Sequence, residues 1–263
     1  QLLELVRGAE TTDQVYDCMV EFGESILGKG AVHAKDTPNF IGNRIGVYGM
    51  MVAINLAKEY ELTVEEVDKL TGPISGRPKS ATFRTADVVG LDTLKSVSLT
   101  TYEKALEDEE RDMFQIPSIL ENLIETGRLG QKTKSGFYKK NEDRSIYSLD
   151  LKTGEYKPMN TVRFDCFRVA KDRQNLAGRI KALCDWDDKG SMYFWEITAK
   201  MLIYSANRIP EISDDIVNID NAMKWGFGWE AGPFEFWDML GIRKTVDRMN
   251  SESKMVPKWV SDM

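Results

Sequence analysis

The sequence predicts a mainly α protein: two helical units in tandem, preceded by a short strand–helix–strand segment. Three observations lead there. Residues 1–35 alternate strand and helix signals. Beyond Pro38, apolar residues recur at three- and four-residue spacing, the period of a helix with one buried face. Two stretches about 150 residues apart share a pattern, too long a period for a solenoid and suited to domain duplication. In the first, Asp68 precedes Gly90-Leu91-Asp92-Thr93-Leu94; in the second, Asp220 precedes Gly241-Ile242-Arg243-Lys244-Thr245. Within them, Phe83-Arg84-Thr85-Ala86-Asp87 aligns with Phe234-Glu235-Phe236-Trp237-Asp238.

Taken in order, Leu2–Val6 is apolar and reads as a strand. Thr11 or Thr12 then caps a helix whose apolar positions are Val15, Met19, Phe22 and Ile26. Gly28 and Gly30 end it, and Ala31–Ala34 is a second short strand. This resembles the last βαβ piece of a doubly wound sheet, and alone it could not hide its strand edges. Pro38 fixes its own φ and pushes Thr37 toward extended geometry, so the extended segment ends there. A long helix follows, with Phe40, Ile41, Ile45, Tyr48, Met51 and Val52 on one face. Thr63-Val64-Glu65-Glu66 is a capping box that opens another helix, and Thr71-Gly72-Pro73 closes it. Residues 76–85 read as a basic loop carrying Arg77, Lys79 and Arg84, suited to solvent, to a neighbouring domain or to phosphate groups. Leu91–Leu106 and Ile116–Ile124 are two more helices. Residues 139–160 are turn-rich, with a hairpin about Lys152-Thr153-Gly154. A second helical unit fills about 175–263.

Composition narrows the function. The 263 residues carry a net charge of −7, with 42% hydrophobic and 29% charged residues. That profile suits a globular core, and so acidic a chain is a poor general binder of nucleic acid, which needs clustered Lys and Arg. No apolar run reaches membrane-span length. Three Cys, at 18, 166 and 184, lie far apart, which suggests free thiols in a reducing cytoplasm and gives no metal spacing. His33 is the only His, so neither a hydrolase triad nor a metal cluster is expected; it reads as a structural or exposed residue. The chain opens on Gln1 inside a strand signal, and is therefore expected to be a fragment or a processed product.

The stretch Asp36-Thr37-Pro38-Asn39-Phe40-Ile41-Gly42-Asn43-Arg44 resembles the Asp-Thr-Pro-Gly-Phe-Ile-x-Asn-Arg signature of the 3-hydroxyacyl-CoA dehydrogenase family. Lys132-Thr133-Lys134-Ser135-Gly136-Phe137-Tyr138 resembles the same family's Lys-Thr-x-x-Gly-Phe-Tyr ending, and Gly232-Pro233-Phe234-Glu235 its Gly-Pro-Phe-Glu core. The one departure in the signature is Asn39 for Gly. It is mild, because Asn tolerates left-handed backbone better than most residues.

The resemblance implies two tandem helical carboxyl-terminal domains after the end of a Rossmann domain, as in multifunctional fatty-acid oxidation enzymes. The boundaries it suggests are 1–35 for the end of the NAD-binding domain and 36–140 for the first helical domain, which would serve substrate binding and dimerisation. A linker with a hairpin would occupy 141–174, and the second helical domain 175–263. The activity implied is oxidation of (S)-3-hydroxyacyl-CoA to 3-oxoacyl-CoA in β-oxidation, in the cytoplasm. NAD would be bound mainly by an amino-terminal domain outside this chain, and no Gly-x-Gly-x-x-Gly follows a strand here. The expected partners are acyl-CoA and either a second copy or an intrachain pseudo-dimer of helical domains.

The family's base is a His in His-Phe-Phe-Asn-Pro, supported by a Glu about a dozen residues later. Gln1-Leu2-Leu3-Glu4-Leu5-Val6 matches the segment of that Glu, so Glu4 takes the supporting role and the His would precede residue 1. Asn43 takes the position that faces the thioester; its amide donates to a carbonyl and accepts from a hydroxyl. Without the resemblance, Glu4 reads as a surface carboxylate on an edge strand and Asn43 as a capping or surface Asn. Arg44 reads as half of a structural ion pair. By itself the chain is expected to be inactive. The alternative function is a non-catalytic dimerisation or assembly module. A related hydroxyacid dehydrogenase is a third reading, but those families lack the nine-residue signature.

Overall fold

A computed structural model describes every residue from Gln1 to Met263. It bears out the mainly α class, with thirteen helices and five strands. In chain order these are β1 (Leu2–Val6), α1 (Asp13–Glu21), β2 (Gly30–Ala34), α2 (Gly42–Glu59), α3 (Val64–Leu70), α4 (Phe83–Val89) and α5 (Leu91–Lys104). Then come α6 (Ser118–Glu125), β3 (Tyr138–Lys140), β4 (Ile146–Leu149), β5 (Tyr156–Pro158), α7 (Asp165–Lys171) and α8 (Leu176–Asp185). The last five are α9 (Lys189–Asn207), α10 (Ile216–Phe227), α11 (Pro233–Leu240), α12 (Ile242–Ser251) and α13 (Lys258–Ser261). They form two compact units, Gln1–Gly46 with Ala199–Met263, and Val47–Thr198.

In the first unit β1 and β2 pair in parallel, Leu2 opposite Gly30 and Val6 opposite Ala34. Thr12 caps α1 by accepting from the Val15 N–H, and Gly28 turns the chain with φ +60°. The apolar stripe of α1 and of the helical turn Phe22–Ile26 that continues it faces outward: Val15, Met19, Phe22 and Ile26 are all exposed. α10 packs on both strands. A Cβ on Gly30 would lie 2.2 Å from the Trp225 ring, so only Gly lets the indole seat there. The N–H of His33 in β2 donates to Asn218 Oδ1 at 2.9 Å, and the N–H of Lys35 donates to the Ile212 carbonyl at 3.0 Å. The strand edge that sequence reasoning left open is therefore partly satisfied by residues more than 170 positions away.

The second unit shows what positions its short helices. The capping box of α3 forms as expected, Thr63 Oγ1 accepting from the Glu66 N–H while Glu66 accepts from the Thr63 N–H. α4 has no side-chain cap of its own. The Asp68 carboxylate, far back in α3, accepts from the Thr82, Phe83 and Arg84 N–H groups at 3.1, 2.7 and 3.2 Å, and from the Tyr138 hydroxyl at 2.8 Å. The sequence predicts a loop through Thr85; the remote cap lets α4 start at Phe83 instead. Asp87 in α4 accepts from the Phe137 and Tyr138 N–H groups, both at 2.8 Å. A Cβ on Gly136 would come within 2.0 Å of Asp87 Oδ1, which gives that motif glycine a steric reason. Phe137 then meets Phe83 edge-on, ring centroids 4.5 Å apart. The expected hairpin is present as β4–β5, and β3 completes an antiparallel three-stranded sheet. α7 lies inside the span read as a linker.

α11 is capped as α4 is. Asp220 accepts from the Phe234 and Glu235 N–H groups at 2.8 and 3.0 Å. Gly90 and Gly241, with φ of +98° and +96°, make the same sharp break into α5 and α12.

Candidate functional site at the start of α2

Pro38 and the two residues after it shape the approach to α2. Asn39 and Phe40 both hold left-handed backbone, with φ of 65° and 52°. The mild departure from Gly thus falls on a position that does need positive φ, and Asn is among the side chains that tolerate it best. Phe40 meets the same demand without that advantage.

Arg44 holds this turn in place. It is fully buried. Its Nε donates to the Tyr204 hydroxyl at 2.7 Å, its Nη1 to the Pro38 carbonyl at 3.3 Å and its Nη2 to Glu211 at 2.9 Å. Arg208 donates to the other oxygen of Glu211 at 2.7 Å. The ion pair expected of Arg44 is present, and its partner lies 167 residues along the chain. No local signal in the sequence points to Glu211 or Tyr204.

Glu4 projects from β1 to the same turn. Its Oε1 accepts from the Ile41 N–H at 3.0 Å and the Gly42 N–H at 2.8 Å. The first N–H groups of a helix have no partner within it, and the helix dipole favours a negative group there. Burial pushes the Glu4 carboxyl above the usual carboxylate range, while the two N–H groups pull it back. Asn43 is the next residue along, exposed on the first turn of α2. The fold thus brings together the two residues singled out in sequence, a half-buried carboxylate and an exposed amide, on either side of Gly42. Glu4 is not the surface carboxylate that its strand alone suggests.

Other candidates are placed elsewhere. His33 is exposed, its Nδ1 2.6 Å from the Tyr16 hydroxyl oxygen. Cys18 is exposed and Cys166 and Cys184 are buried, all as thiols. The turn from β1 into α1 does not suit a dinucleotide pyrophosphate. Thr12 already occupies the Val15 N–H, and Asp13 sets a negative charge in the first turn, where a phosphate needs free N–H groups and no repulsion.

Residues 40–140 match the 3-hydroxyacyl-CoA dehydrogenase C-terminal domain family. The whole chain is 45% identical to a probable 3-hydroxyacyl-CoA dehydrogenase of Bacillus subtilis, of which it covers 33%. Over 95% of its length it is 25% identical to a Rickettsia prowazekii protein named as a fatty acid oxidation complex trifunctional enzyme, covering 35% of that protein. The chain therefore spans about a third of the length of these relatives. In fold it resembles the crystal structure of 3-hydroxybutyryl-CoA dehydrogenase from Escherichia coli K12, with a TM-score of 0.66 at 16% identity, over 99% of this chain and 66% of that one. Within the chain, residues 40–140 belong to the 3-hydroxyacyl-CoA dehydrogenase C-terminal domain family.

Proposed function

We propose that the chain supplies the substrate side of an NAD-dependent (S)-3-hydroxyacyl-CoA dehydrogenase of fatty-acid β-oxidation, acting in the cytoplasm. The observation that carries this reading is the pairing of the Glu4 carboxylate with the first turn of α2, beside the exposed Asn43. Turning a 3-hydroxyl into a ketone removes a proton and a hydride. The base and the hydride acceptor belong to parts of the protein outside this chain. Asn43 donates its amide N–H to the thioester carbonyl and so fixes the acyl group. Glu4, held by two backbone N–H groups, is a fixed negative charge that orients the base and steadies it once protonated. Residues 36–140 and 175–263 are two copies of one helical domain that pair within the chain, or between chains, as a scaffold.

The second reading, a module used only for assembly, has one observation in its favour. The first turn of α9 holds no such pair: Asp188 caps it, accepting from the Ser191 and Cys166 N–H groups at 2.8 Å each. The second helical run is therefore structural in either reading. NADH oxidation with acetoacetyl-CoA separates the two, run on this chain, on the longer protein that contains it, and on the longer protein with Asn43→Ala. The dehydrogenase reading expects activity only in the longer form and a loss of about 10²-fold or more on substitution. An inactive longer form leaves the assembly reading.

A further inference from the structure

The second unit contains a cleft of about 750 Å³ that uses none of the residues at the start of α2. Lys79, Arg84, Lys134 and Lys140 line it, in a protein whose net charge is −7. Lys79, Lys134 and Lys140 enter no salt bridge, whereas Lys132, two residues before Lys134, is held by both oxygens of Asp92 at 2.6 Å. The single carboxylate of the lining is Asp87, and both its oxygens are taken up by the Phe137 and Tyr138 N–H groups. Arg84 lies 4.3 Å above the Tyr138 ring, which keeps its guanidinium at the wall. Lys134 stands on left-handed backbone, φ 58°, a conformation disfavoured for Lys. A neighbouring cleft of about 510 Å³ shares Lys79, Arg84 and Tyr138, but there Lys69, Lys171 and Arg179 stand beside the carboxylates Glu65 and Asp68. In the larger cleft four cations face a single carboxylate that is already hydrogen-bonded, and they repel one another unless an anion joins them.

The apolar part of the same cleft decides what kind of anion. Val88 and Ile146 line it and remain 63% and 39% exposed. Inorganic phosphate would leave them in water. We infer that this cleft binds a nucleoside polyphosphate, its phosphates on Lys79, Arg84, Lys134 and Lys140 and its nucleoside on Val88 and Ile146. The inference does not depend on the dehydrogenase reading, because the probes need no turnover.

Calorimetric titration of the chain at low salt tests it, with ATP, coenzyme A, tripolyphosphate and adenosine as probes. Saturable binding of ATP or coenzyme A is expected. The double variant Lys79→Ala, Lys134→Ala should weaken it about tenfold or more, and tripolyphosphate should bind about fivefold or more weakly than ATP. The double variant Lys29→Ala, Lys181→Ala removes as much charge from exposed sites and should stay within about twofold. A preference for coenzyme A over ATP would assign the cleft to a thioester carrier, and the reverse to a free nucleotide; both support it. Three results overturn it: no saturation up to about 10 mM, equal loss in the two double variants, or equal binding of ATP and tripolyphosphate. Thermal melts of both variants confirm that loss of binding is not loss of fold.

Discussion

The helical run α3–α5 and the run α10–α12 use the same device at the same place and diverge at two others. In each, an aspartate from one helix caps the next across a long loop: Asp68 for α4 and Asp220 for α11. In each, a glycine of positive φ then breaks the chain into a third helix. They differ at Asp87, which is buried against the Gly136–Tyr138 segment, while its counterpart Asp238 is exposed. They differ also in the long helix before each run. α2 starts beside Glu4 and an exposed Asn43, whereas Asp188 caps the start of α9 locally. Parts that hold helices together recur; the pairing of a carboxylate with an exposed amide stands at one helix start only.

The largest effects should come from the shared device. Asp68→Ala strands three N–H groups and a hydroxyl and should cost about 3–5 kcal/mol in urea denaturation; Asp220→Ala strands two and should cost about 2–3 kcal/mol. Equal costs would mean that the number of donors does not set the strength of the cap. Next, Gly136→Ala should cost about 3 kcal/mol, since its Cβ meets Asp87 at 2.0 Å and breaks that clamp. Asp238→Ala should stay within about 0.5 kcal/mol.

A smaller effect follows from pH. Burial raises Asp68 to about 7, and Asp87 and Asp220 to about 6. Each then holds its proton to higher pH folded than unfolded, so its contribution is complete below about pH 4 and is lost as pH rises through 6 to 7. Through Asp68 alone, unfolding free energy should therefore fall by about 1–3 kcal/mol between pH 5 and pH 8. A rise over that range would mean that the backbone donors outweigh burial.

Local chemistry made part of this legible in sequence. The capping box at Thr63, the hairpin at Gly154, the strand at Leu2–Val6 and the helix after Pro38 each carry their cause within a few residues. α4 escaped notice because its cap is fourteen or more residues away and its seven residues are too few to show a period. The outward stripe of α1 is invisible to periodicity, which finds an apolar face without saying what covers it. At the site, Asn43 was legible only through the nine-residue signature and Glu4 only through the resemblance of Gln1–Val6 to the same family. That Glu4 reaches Gly42 and that Arg44 reaches Glu211 depends on residues that meet only in the fold.

The proposed function puts its chemistry at the start of α2 and not at the start of α9. Acetoacetyl-CoA-dependent NADH oxidation by the longer protein, with Asn43→Ala and Ser191→Ala compared side by side, tests it most directly. The account predicts a loss of about 10²-fold or more for Asn43→Ala and less than about twofold for Ser191→Ala. Comparable losses, or an Asn43→Ala enzyme near full activity, would contradict it.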